Sequence, residues 1–139
     1  MSGKRANYIG APEMFNLNAA CCVIRDAFPD TFGCYLVGSS LEKRDYRDVD
    51  IRCIVPDEEY EKMFPGGIKP EWTDAKWSLL CASISEWLRA RTGLPVDFQF
   101  QQMTYANEKF GRETVGSGKR HAIGLLNVRT STATVEEGR

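Results

Sequence analysis

The stretch "DVDIRCIV", residues 48–55, constrains the fold more than any other feature of the chain. Side chains alternate along a strand, so Val49, Ile51, Cys53 and Val55 share one face, and Asp48, Asp50 and Arg52 the other. Aspartate is depleted in strands and is rarely fully buried without a partner. Two of them on one strand face cost stability, and that cost asks for compensation.

Two further segments read as strands. "GCYLVG", residues 33–38, is short, apolar and bounded by glycines. "PVDFQFQQ", residues 95–102, alternates again, with Val96, Phe98 and Phe100 on one face and Asp97, Gln99 and Gln101 on the other.

Between them lie helical patterns. Met14, Leu17, Cys21, Ile24 and Phe28 form an apolar stripe behind Pro12, which predicts a helix over about 13–28. Trp77, Leu80, Cys81, Ile84, Trp87 and Leu88 form a stronger stripe, with Thr73 or Asp74 as cap and Gly93 and Pro95 as its end. Tryptophans at that spacing read as core. "PDEEYEKMFPGG" suggests a short helical turn followed by a loop, and "TYANEKF" another turn.

"GRETVGSGKRHAIGLLN", residues 111–127, is glycine-rich and basic, and residues 129–139 have little to bury and read as a mobile tail. Helix, strand, strand, helix, strand is the pattern of an α+β domain, a small mixed β-sheet backed by helices, here spanning 1–128.

The bulk numbers narrow the class. A chain of 139 residues suits one core, and a formal net charge of -1 advertises neither nucleic-acid nor membrane binding. No apolar run approaches the roughly 20 residues needed to cross a bilayer. The opening residues carry charge without an apolar stretch behind it, so a signal peptide is not expected. Five cysteines, at 21, 22, 34, 53 and 81, form no CxxC and read as reduced core thiols of a cytoplasmic protein. His121 is the single histidine, which argues against a zinc site.

The acids group by phase. Side chains two apart on a strand are roughly 6.6 Å apart along the backbone, so Asp48 and Asp50 can converge on one ion, or on two about 3.5–4 Å apart. Asp97 has the same alternating phase and would join them if its strand pairs beside "DVDI". Carboxylates gathered in this way repel unless a cation lies among them, and such hard oxygen donors suit Mg²⁺ or Mn²⁺. Gly38, Ser39 and Ser40 follow a strand; the glycine lets backbone approach a phosphate, and the hydroxyls and N–H groups of the turn can hold its oxygens.

Together, "VGSSLEKRDYRDVDIRCIV" and the later "PVDFQF" resemble the signature of the nucleotidyltransferase superfamily with a polymerase-beta-like palm, over about residues 32–101. In size the chain is similar to the minimal nucleotidyltransferase domains of prokaryotes and their viruses. The resemblance implies transfer of a nucleoside monophosphate, AMP being the commonest, from a nucleoside triphosphate to a hydroxyl of a protein or nucleic acid. By position, Asp48 and Asp50 would hold the metal bound to the triphosphate. Asp97 would join them on a second metal and help deprotonate the acceptor, and Ser39 and, less directly, Ser40 would grip phosphates beside Gly38. A separate protein partner or a homo-oligomer is also implied.

The pattern departs from the family in two places. Eight residues separate Ser39 from Asp48, slightly fewer than usual, and Leu41, Glu42, Lys43 and Arg44 stand where Arg-Gly is common.

Other readings of the same residues stay open. The acids fit a charged edge strand paired with Arg44, Arg47 or Arg52. Lys119 and Arg120 fit either a basic surface loop or a segment closing over a triphosphate, and Tyr46 either packing or a stack on a base. The alternative function is a catalytically inactive nucleotidyltransferase-like module that binds a protein, of inhibitor or antitoxin type.

Overall fold

The structure, a computed structural model, describes residues 7–65, 74–110 and 120–125. Residues 111–119, with Lys119, and the tail 129–139 lie outside the described residues. Within them the chain forms α1 (Ala11–Ala27), β1 (Cys34–Val37), a 3-10 turn (Ser39–Leu41), β2 (Val49–Val55), α2 (Asp57–Met63), α3 (Ala75–Thr92), β3 (Val96–Gln102), α4 (Met103–Phe110) and β4 (His121–Ile123). This is an α+β architecture with a small mixed sheet in the order β3-β2-β1-β4. Strand β1 runs antiparallel to both β2 and β4, whereas β2 and β3 are parallel.

The parallel pair needs a crossover, and the chain from α2 through α3 supplies it. Helix α3 starts where Asp74 accepts a hydrogen bond from the Trp77 N–H at 2.9 Å, and stops where Gly93 turns left-handed at φ 75°. Helix α1 opens with Pro12 near its start, where a missing N–H costs nothing.

Alternation decides the faces. Val49, Ile51, Cys53 and Val55 of β2 and Val96, Phe98 and Phe100 of β3 are all essentially inaccessible. They form one core with Leu17, Cys21 and Ile24 of α1 and Trp77, Cys81 and Leu88 of α3. Tyr46 packs against this core, as do Met14, Leu80, Ile84 and Trp87.

One face of α3 also closes the free edge of β3. Trp77, Cys81, Ser85 and Arg89 recur every four residues, so they line one stripe of the helix. The Trp77 indole N–H donates to the Phe100 carbonyl at 3.0 Å, and the Phe100 N–H donates to Cys81 Sγ at 3.4 Å. Ser85 Oγ accepts from the Phe98 N–H at 2.8 Å and donates to its carbonyl at 3.4 Å; Arg89 Nε donates to the Val96 carbonyl at 2.9 Å. Side chains thus satisfy backbone groups that a neighbouring strand would otherwise take.

All five cysteines are buried. Cys34 and Cys53 face each other across β1 and β2. Hydrogen bonding to Cys21, together with burial, pushes the Cys34 thiol well up. Hydrogen bonding to Cys34 and burial do the same for Cys53. Burial pushes the Cys81 thiol up to about 12.

The opposite face of the sheet is divided. Alternation places Ile54 and Gln101 there, yet both are buried, and α4, with Ala106 fully buried, packs back onto β2 and β3. The end of this face nearest the start of β2 and β3 carries the polar residues.

Candidate functional site

Three strand ends meet at that place. Asp50 and Asp97 are register partners across the parallel pair, and Asp50 also stands opposite Val37, the last residue of β1. Paired residues of neighbouring strands point to the same face, so both carboxylates rise from one row of the sheet. Both are partly exposed, Asp50 at 23% and Asp97 at 42% of the side chain.

Gly38 follows Val37 and has φ 85° and ψ -158°, a region essentially reserved for glycine. A Cβ added at Gly38 would overlap the Asp50 carboxylate, with Asp50 Cγ only 3.3 Å away. The chain therefore presents bare backbone to Asp50 and then turns at once into the Ser39–Leu41 3-10 turn. Leu41 N–H donates to the Gly38 carbonyl at 3.1 Å, and the N–H groups of Glu42 and Lys43 both donate to the Ser39 carbonyl at 2.9 Å. The opening N–H groups of such a turn have no partner inside it. Ser40 is fully buried, and its Oγ finds no hydrogen-bond partner among the described residues.

Asp48 stands apart from the pair. It is exposed and precedes β2, so it lies on the approach to the strand and not on its ladder. Of the three acids, the sheet brings Asp50 and Asp97 side by side and leaves Asp48 at the rim. Among the described residues no group of three His, Cys, Asp or Glu side chains forms a ready-made metal cage.

The residue between the acids is Arg52. Its Nη1 donates to the Ile51 carbonyl at 3.1 Å and to the Asp97 carbonyl at 2.9 Å. Its Nη2 lies 3.6 Å from Asp97 Oδ2 and 4.0 Å from Asp50 Oδ1. Only 12% of the side chain is exposed. Sequence reasoning grouped Arg52 with Arg44 and Arg47 as candidate partners of the acids, and the geometry separates them. Arg44 sits over the Tyr8 ring, 5.8 Å from its centroid, and Arg47 is exposed. The signal for Arg52 was in the alternation, since it shares its face with Asp50; the parallel register that adds Asp97 was not.

Two features flank the pair. On the α3 side, a cavity of about 310 Å³ is lined by Ser78, Ser85, Glu86, Arg89, Asp97 and Gln99, among others. On the β4 side, Arg120 lies over the Tyr35 ring at 5.4 Å and donates from Nη2 to Asn107 Oδ1 at 3.1 Å. Arg120 Nη1 has no partner among the described residues.

The donor set suits a hard divalent cation. Two neighbouring carboxylates provide oxygen ligands, backbone that only glycine permits lies against one of them, and a buried hydroxyl in the adjoining turn lacks a partner.

Compared with protein-family models, with curated proteins and with solved structures, the chain matches none. Among the described residues no helix is long and apolar enough to cross a membrane.

Proposed function

We propose that the chain is a nucleotidyltransferase that moves a nucleoside monophosphate, AMP in the first instance, from a nucleoside triphosphate to a hydroxyl. One observation carries this reading. Asp50 and Asp97 are register partners at the end of the sheet where Gly38 brings the Ser39–Leu41 turn against Asp50. Acids and phosphate-binding turn therefore serve one ligand.

The roles follow from position. Ser39 and the turn's backbone N–H groups hold the β- and γ-phosphates, with the fully buried Ser40 behind them. Asp50 and Asp97, with Asp48 at the rim, would hold Mg²⁺ or Mn²⁺, which supplies positive charge to the triphosphate and its leaving group. Asp97 is the more exposed of the pair and borders the cavity beside α3, so it faces the acceptor. It takes the proton of the acceptor hydroxyl. The freed oxygen forms a bond to the α-phosphorus while the bond from that phosphorus to the bridging oxygen breaks, and pyrophosphate leaves.

The reading is tested with nucleoside triphosphates labelled at the α-phosphate, offered with protein, RNA and small hydroxyl acceptors. Label should pass to one acceptor class and be lost in Asp97→Asn. No transfer to any class, with the folded wild type and Mg²⁺ or Mn²⁺ present, counts against it.

The second reading, a protein-binding module, has an observation of its own. Phe15 and Val23, eight apart on α1, are 74% and 52% exposed, with exposed Ala19 between them. This stripe suits a partner or a second copy. Sedimentation of Phe15→Ser/Val23→Ser tests it: a lower mass than the wild type supports assembly through α1, and an unchanged monomer removes the homo-oligomer.

A further inference from the structure

Arg120 lies on the same face of the sheet as the acids, in quite different surroundings from Arg52. Tyr35 and Arg52 are register partners in β1 and β2, so the Tyr35 ring rises from the face that carries Asp50. The Arg120 guanidinium covers that ring at 5.4 Å, and its Nη2 donates to Asn107 Oδ1 of α4 at 3.1 Å. Its Nη1 is shielded from water and has no hydrogen-bond partner among the described residues. Nor does any salt bridge join Arg120 to a described carboxylate.

The arginine is also held in place. Strand β4 follows it directly and pairs with β1. Beyond β4, the Gly124 N–H donates to Asn18 Oδ1 at 2.8 Å, and Cys22 Sγ donates to the Gly124 carbonyl at 3.1 Å. The short segment is thus tied to β1 along its length and to α1 at its far end. A guanidinium nitrogen kept from water with no acceptor is costly, and an anion removes that cost. The planar fork of arginine suits a phosphate, because one edge can stay on Asn107 while the other reaches an oxygen.

Position indicates which phosphate. The order β3-β2-β1-β4 puts Asp97 and the α3 cavity on one side of Asp50, and Tyr35 with Arg120 on the other. Tyr35 stands two residues before Val37, a step of roughly 6.6 Å along the strand, and Gly38 then opens the Ser39–Leu41 turn. Arg120 therefore flanks the phosphate turn on the side away from the acceptor.

We infer that Arg120 is a catalytic residue for the leaving group, with Nη1 donating to an oxygen of the pyrophosphate portion of the triphosphate. This rests on the transferase reading. As the bond from the α-phosphorus to the bridging oxygen breaks, its electron pair stays on pyrophosphate. The guanidinium hydrogen-bonds to that growing charge and keeps its proton, while the acceptor's proton goes to Asp97.

The test is calorimetric titration of the full chain with tripolyphosphate, ATP and AMP in the presence of Mg²⁺. The wild type should bind tripolyphosphate and ATP. Arg120→Gln should weaken both by about tenfold or more and leave AMP unchanged, since AMP carries no pyrophosphate. Arg120→Lys keeps the charge and loses the fork, so it should fall between them. A wild type that does not bind tripolyphosphate overturns the inference, as does a folded Arg120→Gln with unchanged affinity or with an equal loss for AMP. If Arg120→Gln does not fold, a wild-type affinity in Arg120→Lys overturns it. Single-stranded RNA bound through Arg120 in place of tripolyphosphate also overturns it. Tripolyphosphate held through Arg120, with no label passing from any triphosphate, would uphold the binding contact and remove the transferase reading. Label transfer at the wild-type rate in Arg120→Gln would keep that reading and overturn this one.

Discussion

Arg52 grips Asp97 twice: Nη1 donates to its backbone carbonyl at 2.9 Å, and Nη2 lies 3.6 Å from its carboxylate. The two residues sit on neighbouring parallel strands, so the contact ties the start of β3 to the middle of β2. Removing the guanidinium leaves two carboxylates side by side and takes one hydrogen bond from each of two backbone carbonyls. Arg52→Gln should therefore lower stability by about 1–3 kcal/mol, read from urea denaturation. A change within about 0.5 kcal/mol would mean the pair behaves as an ordinary surface contact.

Gly38 should tolerate no side chain. Gly38→Ala meets both an unfavourable φ of 85° and the Asp50 carboxylate. A loss of about 1–3 kcal/mol is expected, with nucleotide binding falling further than stability because Asp50 must move. Thermal melts and a nucleotide titration on the same variant separate the two effects. Full binding by Gly38→Ala would show that the close approach has no part in the site.

The α3 stripe predicts an effect on the fold through the edge of β3. In Ser85→Ala the buried Phe98 N–H loses its 2.8 Å partner, which should cost about 1–3 kcal/mol. Ser85→Thr should retain most of the stability if its methyl is accommodated. Equal stability of the wild type and Ser85→Ala would mean that water reaches the β3 edge.

The buried thiols give a pH dependence of definite sign. Cys81 is held up at about 12 in the folded chain against an ordinary value of 9.0, and Cys34 and Cys53 are shifted upward too. The folded state keeps protons that the unfolded state releases, so this contribution is fully present below about pH 9. For Cys81 it is lost as pH rises from about 9 to about 12. Urea denaturation across that range should show falling stability, with a shallower fall in Cys81→Ser. Identical slopes would remove Cys81 as a cause.

Much of this architecture was legible in the sequence. The alternation of Val49, Ile51, Cys53 and Val55 marks the buried face of β2, and Asp74 and Gly93 mark both ends of α3. The helix read over 13–28 is α1 at Ala11–Ala27. Other features were less visible, for physical reasons. Helix α4 runs eight residues, longer than the single turn its polar sequence suggests, because Ala106 can bury against the sheet. Strand β4 is three residues long and exists through distant pairing with β1, so local pattern does not announce it.

The site divides in the same way. The shared phase of Asp50 and Asp97 was readable, but their adjacency depends on the parallel register of β2 and β3. Asp48 has the right phase, yet it falls just ahead of the ladder, because strand ends are set by pairing and not by composition. Arg52 looked like one of several surface arginines, since only the folded sheet brings two acids and two carbonyls around it.

The most direct measurement is calorimetric titration of ATP, CTP, GTP and UTP into the wild type, Asp50→Asn and Asp97→Asn, with and without Mg²⁺ or Mn²⁺. The account predicts one metal-dependent triphosphate site in the wild type, abolished in Asp50→Asn and weakened at least about tenfold in Asp97→Asn. A wild type that binds no triphosphate with either metal, or binding that survives both substitutions unchanged, would contradict it.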